Sequence, residues 1–136
     1  MKNPPIGLVH KATLHIDETL VVPNLPKALT AMADMPPVFA TAYMVAFVEA
    51  TCIEALAPYL DVDEGTVGTH VDISHVAATP VGMTVTARVE LVTLEGRKLM
   101  FRAVCKDDRD TIGTGLHERF VIKHAPFMAR TEAKLS

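Results

Sequence analysis

The chain has 136 residues, enough for one ordinary domain and too few for two. It is 49% hydrophobic and 21% charged, with a formal net charge of -3, the balance of a globular protein with a substantial core. No basic run or aromatic-plus-basic strand is present, which excludes nucleic acid as an expected partner.

Residues 1 to 9 read as a loose lead-in, with prolines and charges where a secretory leader would be apolar. "TLHIDETLVV", from Thr13 to Val22, is rich in strand formers and stops at Pro23. Residues 23 to 39 hold four prolines, too many for a long helix. They predict an irregular flap in which "KALTAMAD" makes short turns.

The main helix is predicted from about Thr41 to Leu60, with Thr41 as N-cap, Gly65 beyond the end and Pro58 forcing a kink or late break. It is apolar nearly all round, so burial on most sides is expected. No apolar run reaches a membrane span, because Glu49 and Glu54 interrupt the longest one.

Only strand patterns are predicted after the helix. In "VGTHVDISH", Val67, Val71, Ile73 and His75 share one phase. In "MTVTARVEL", Met83, Val85, Ala87, Val89 and Leu91 alternate with polar residues, the pattern of a half-buried strand. "LEGRK" is a hairpin turn, and "KLMFRAVCK" again alternates. "KDDRD" is a second turn, and "TIGTGLHERFVIKH" is the last strand, whose two glycines predict a bulge or a close backbone approach.

The order is strand, flap, one long helix, then four strands joined mainly by hairpins. A helix buried on most sides must be wrapped by a curved antiparallel five-stranded sheet. That is an α+β hot-dog fold, as one domain over residues 1–136. One sheet around one helix leaves a helix face and sheet edges open, so a homodimer or higher homo-oligomer is expected.

Glu49 is the residue that most needs an explanation. Its neighbours one turn away are Val45, Ala46, Cys52 and Ile53, and none carries charge. A buried carboxylate must be paired, hydrogen-bonded or protonated. One reading is a structural ion pair with Arg88, Arg102 or Arg119 of the sheet. The other is a carboxylate in an apolar cleft, available as nucleophile or base. His75 ends a strand beside "ATPVG" and is either a satisfied core histidine or a catalytic group. His10, His15, His70, His117 and His124 are weaker candidates. No HxH or HExxH pattern occurs, so no metal is expected. Cys52 and Cys105 sit in apolar segments without metal spacing and read as reduced core residues. The expected location is the cytoplasm.

"PPVFATAYMVAFVEATCIEALAPYL", "EGTVGTHVDISHVAATPVGMTVTARVEL" and "IGTGLHERFVI" together resemble the fluoroacetyl-CoA thioesterase family of hot-dog proteins, over most of residues 36 to 124. The resemblance implies hydrolysis of an acyl-CoA thioester by a homodimer. It implies catalytic roles for Thr41, Glu49 and His75, and substrate contacts at Gly68 and Arg119. Where the family's fluoroacetate specialist carries a lid phenylalanine, this sequence has Met35. That places a flexible thioether over the acyl pocket. The expected substrate is a short or medium acyl-CoA, fluoroacetyl-CoA among the candidates, and no cofactor is implied beyond the substrate's own coenzyme A.

In this reading Glu49 is nucleophile or general base, His75 moves protons, and Thr41 orients a reacting group. Thr41 and Glu49 are eight residues apart, about 12 Å along a straight helix. Either Thr41 lies in a non-helical entry, or the site combines two subunits. A hot-dog hydratase or dehydratase would alter the acyl chain instead of releasing thiol. A non-catalytic acyl-CoA binding or sensing module would bind without turnover.

Overall fold

The computed structural model describes Met1–Ser136. Its elements are β1 (Val9–His15), α1 (Thr41–Leu56), β2 (Glu64–Ile73), β3 (Thr84–Glu95), β4 (Lys98–Lys106), β5 (Thr111–Lys123) and α2 (His124–Glu132). The strands form one antiparallel sheet in the order β1-β3-β4-β5-β2. With α1 packed on its inner face, this is the hot-dog layout.

The alternation in β3 and β4 is realised as read. Val85, Ala87, Val89 and Leu91 face Leu99, Phe101, Ala103 and Cys105 in one buried layer. Met44, Phe47, Val48, Cys52 and Leu56 of α1 close over that layer. Both cysteines are free and buried. Desolvation pushes the Cys52 thiol up to about 12 and Cys105 to about 11, so neither is a thiolate at neutral pH.

Five expectations need correction. The first strand runs Val9–His15, not Thr13–Val22. Asp17 ends it by accepting a hydrogen bond from the Thr19 backbone N–H at 2.9 Å, which starts a 3-10 turn at Glu18–Leu20. The lead-in is tied down, with Gly7 N–H donating to the Leu91 carbonyl and Lys2 N–H to that of Tyr59. The alternation read through "VGTHVDISH" is broken by a register shift between Gly68 and His70. Val67, opposite Phe120, and Val71, opposite the buried His117, therefore fall on opposite faces, and Val71 is nonetheless exposed. His75 lies beyond the strand, in the segment that follows Ile73. Finally, the strands do not end the fold: α2 follows β5 directly and buries none of its residues. Without an apolar stripe it left no periodic signal.

α1 ends at Leu56 and continues as a 3-10 turn over Ala57–Tyr59, where Pro58 cannot donate to the helical ladder. With that turn it spans 19 residues, long and apolar enough by length and composition to cross a membrane despite Glu49 and Glu54, contrary to the reading of the sequence, although here its buried residues pack into the sheet's core. The predicted burial on most sides is only half met. The sheet covers one side, and Ala42, Ala46, Ala50 and Ile53 remain exposed on the other. The flap over residues 23–39 is irregular, with a 3-10 turn at Thr30–Met32. It is anchored by bridges from Val21 to Phe39 and from Val38 to Pro80.

The paired glycines of β5 allow a close backbone approach. A Cβ at Gly113 would strike the Ser74 carbonyl, and one at Gly115 the Asp72 carbonyl. β2 and the segment leading to His75 are thereby drawn against β5.

Candidate active site

Thr41 is the first residue of α1, and the N-cap is Ala40, in extended conformation and without a side-chain cap. The predicted capping role is therefore not what holds Thr41. Its hydroxyl is instead 2.7 Å from His75 Nδ1. Phe39 stands edge-on to the His75 ring, with centroids 6.4 Å apart. His75 Nε2 is buried with no hydrogen-bond partner in the chain. A buried polar atom in that state is costly, and a ligand group that met it would recover the loss. Burial pushes the His75 pKa down, partly offset by the Ala77 backbone, so the ring is neutral at pH 7. The pair lines a pocket of about 280 Å3 with Val22, Val38 and Ala77.

A second pocket of about 280 Å3 adjoins it under the flap. Leu25, Met32, Met35 and Pro36 line it, and Val22, Val38 and Thr41 belong to both. Met35 is thus placed over an apolar space that opens at the Thr41 hydroxyl.

Glu49 lies two turns further along α1, at the margin between the sheet-covered face and the open one, with its side chain 37% exposed. Its Oε2 accepts from Arg119 Nη1 at 2.9 Å. Of the three arginines considered as partners, Arg119 is the one that pairs. Arg88 and Arg102 instead flank Glu90 on the sheet. The Arg119 guanidinium is almost fully buried and held on three sides. Its Nε donates to Thr66 Oγ1 and its Nη2 to the Thr66 carbonyl, both at 2.8 Å. Nη1 also lies 3.1 Å from His117 Nε2.

Gly68 explains how the carboxylate fits. A Cβ there would stand 2.7 Å from Glu49 Oε2, 3.2 Å from His117 Cε1 and 3.4 Å from Arg119 Nη1. Only a residue without a side chain lets the carboxylate lie against the β2 backbone.

The structure therefore forms two groups along one face of α1, Thr41 with His75 and Glu49 with Arg119, Gly68 and His117. No hydrogen bond joins them within the chain. Because Thr41 is helical, the option of a non-helical entry is closed. Sequence reasoning missed Thr66 and undervalued His117. A signal for the latter was available: in "LHERFV", His117 and Arg119 share the inward phase of Val121 while Leu116 and Phe120 face out.

Comparison with known proteins identifies the family. Residues 25–125 match the family model described as fluoroacetyl-CoA-specific thioesterase. The fluoroacetyl-CoA thioesterase of Streptantibioticus cattleyicolor is 42% identical over 125 residues, covering 92% of this chain and 84% of its own. A solved structure of the fluoroacetyl-CoA thioesterase superposes with a TM-score of 0.95 at 38% identity, covering 98% of each chain. A hot-dog-like protein from Thermanaerovibrio acidaminovorans shares the fold at 22% identity, with a TM-score of 0.82 over 97% of this chain and 93% of its own. The chain belongs to the fluoroacetyl-CoA-specific thioesterase family.

Proposed function

We propose that this chain hydrolyses the thioester of a short or medium acyl-CoA to the free acid and coenzyme A. The observation that carries the reading is Glu49. It is a partly exposed carboxylate on an otherwise apolar helix face, fixed by a guanidinium with no freedom to turn away. Glu49 attacks the thioester carbonyl or activates the attacking water. In the first case an acyl anhydride forms as CoA thiolate leaves, and water then hydrolyses it. In either case the water supplies the proton, which neutral His75, backed by Thr41, takes up and passes to the departing sulfur. The CoA thiolate is a good leaving group, so this route draws on no resident metal or cofactor. Relatives support the substrate class: a Thr-to-Ser variant of the fluoroacetyl-CoA thioesterase was solved with acetyl-CoA. The Met-lined space beside Thr41 supports an acyl group up to medium length.

We further propose a homodimer whose two sites each combine Thr41 and His75 of one subunit with Glu49 of the other. Support comes from the exposed apolar face of α1 and from the free edge of β2, next to Gly68. Two free core thiols accord with a reducing cytoplasm.

Thiol release from a panel of acyl-CoAs, with product analysis, tests the activity. Free acid and thiol are expected, whereas an altered acyl chain still esterified to CoA would overturn the reading. Mixing Thr41→Val and Glu49→Gln chains tests the composite site. Half the dimers are then mixed, each with one intact site, so about a quarter of wild-type activity returns. No recovery would place the whole site within one chain.

A further inference from the structure

His117 is the chain's one buried histidine, and the reaction proposed above gives it no task. It lies in β5 opposite Phe101 of β4 and Val71 of β2. Its Nδ1 is 2.9 Å from the His70 carbonyl of β2, and its Nε2 is 3.1 Å from Arg119 Nη1. A carbonyl only accepts, so Nδ1 must carry the proton. A guanidinium only donates, so Nε2 must present its lone pair. The two neighbours together demand the neutral Nδ1–H tautomer. The cation would set Nε2–H against Arg119. At 3.9 Å, Glu49 Oε2 is too far to accept that proton.

We propose that His117 is a positioning residue for the thioester hydrolysis: it accepts one Nη1 hydrogen of Arg119 and so aims the other at Glu49 Oε2. The proposal rests on the reading of Glu49 as the catalytic carboxylate. Thr66 holds the Nε and Nη2 side of the guanidinium, and His117 supplies the remaining constraint on Nη1. Protonating His117 turns this acceptor into a donor beside a fixed cation and releases the aim. The charged groups around it are Arg119 and Glu118 on β5 and Glu49 on α1. β2 offers the His70 carbonyl, and the β4 neighbour Phe101 carries no charge. Burial holds the ring below the usual histidine range. The His70 carbonyl opposes this, Arg119 reinforces it, and Glu49 and Glu118 oppose it.

The test joins a spectrum to kinetics. In protein labelled with 15N at histidine, long-range 1H–15N correlation at pH 7 should show His117 neutral and protonated at Nδ1. His117→Leu removes the acceptor and should lower kcat by about tenfold to a hundredfold, with KM little changed. His117→Gln returns an acceptor oxygen near the Nε2 position and should restore most of that loss. A cationic ring, or one protonated at Nε2, would overturn the proposal. So would His117→Leu with wild-type kcat. Should the leucine variant fail to fold, a folded His117→Gln as impaired as Glu49→Gln overturns it, and one with near wild-type kcat supports it. A wild type that releases no thiol would defeat the thioesterase reading, while the spectrum tests the hydrogen-bond arrangement without turnover.

Discussion

Gly68→Ala separates the demands of the site from those of the fold. The added Cβ would stand 2.7 Å from Glu49 Oε2, where ordinary contact begins at 3.4 Å. The carboxylate must therefore retreat by about 0.7 Å, and a retreat directly away from Arg119 stretches their 2.9 Å bond past hydrogen-bonding range. A hydrogen bond to a charged group is worth about 1.5–3 kcal/mol. A displacement approaching 1 Å in a catalytic group costs up to about a hundredfold in rate. The fold has little at stake. The atom met under 3.0 Å is the end of a flexible side chain, and the buried His117 ring at 3.2 Å must give by only a few tenths of an ångström. Alanine also lowers the entropy of the unfolded chain by an amount worth about 0.4–1 kcal/mol. The expected result is a fall in kcat/KM of about tenfold to a hundredfold with the melting temperature within a few degrees of wild type. Thiol release and a thermal melt on the same preparation measure both. Wild-type activity in Gly68→Ala would refute the claim that Glu49 must sit against the β2 backbone. Loss of folding would show that the glycine serves structure first.

The Thr41 hydroxyl orients His75, so Thr41→Val should lower kcat by at least about tenfold, whereas Thr41→Ser, which keeps the 2.7 Å contact, should stay close to wild type. Cys52 and Cys105, with pKa values pushed to about 12 and about 11, should not react with a disulfide reagent at pH 8 until denaturant is added; rapid native labelling would show that the core opens. Stability should fall on acidification below about pH 6.5. Both His75 and His117 have folded pKa values below the unfolded one, so the unfolded chain takes up protons first, and each group contributes at most about 1.4 kcal/mol per pH unit. Urea midpoints at pH 7, 6 and 5 should decline, less steeply in His117→Gln, and a flat profile would contradict the neutral buried rings.

Local patterns carried most of the fold. β3 and β4 were legible because each residue's phase alone decides its face, and α1 because its apolar run exceeds a strand's length. The bulge at Gly68 was not legible, since one extra residue leaves composition unchanged while it reverses the phase of everything after it. α2 escaped for the opposite reason, having no buried face to imprint a period. Glu49 could be found because a carboxylate among apolar neighbours is locally anomalous. Its partner could only be narrowed to three arginines, since Arg119 is 70 residues away and a chain does not advertise contacts across that distance. Thr41 was singled out, but its bond to His75 depends on how the loop after β2 returns to the start of α1.

Thiol release by Glu49→Gln beside wild type, across acetyl-, fluoroacetyl- and longer acyl-CoAs, tests the central claim most directly. Glutamine keeps the shape and an oxygen for Arg119 but can serve neither as nucleophile nor as base. The account predicts a loss of at least about two orders of magnitude in kcat on every substrate that wild type hydrolyses, in a protein that still folds. Equal activity in the two proteins would make the Glu49–Arg119 pair structural and contradict the mechanism at its centre.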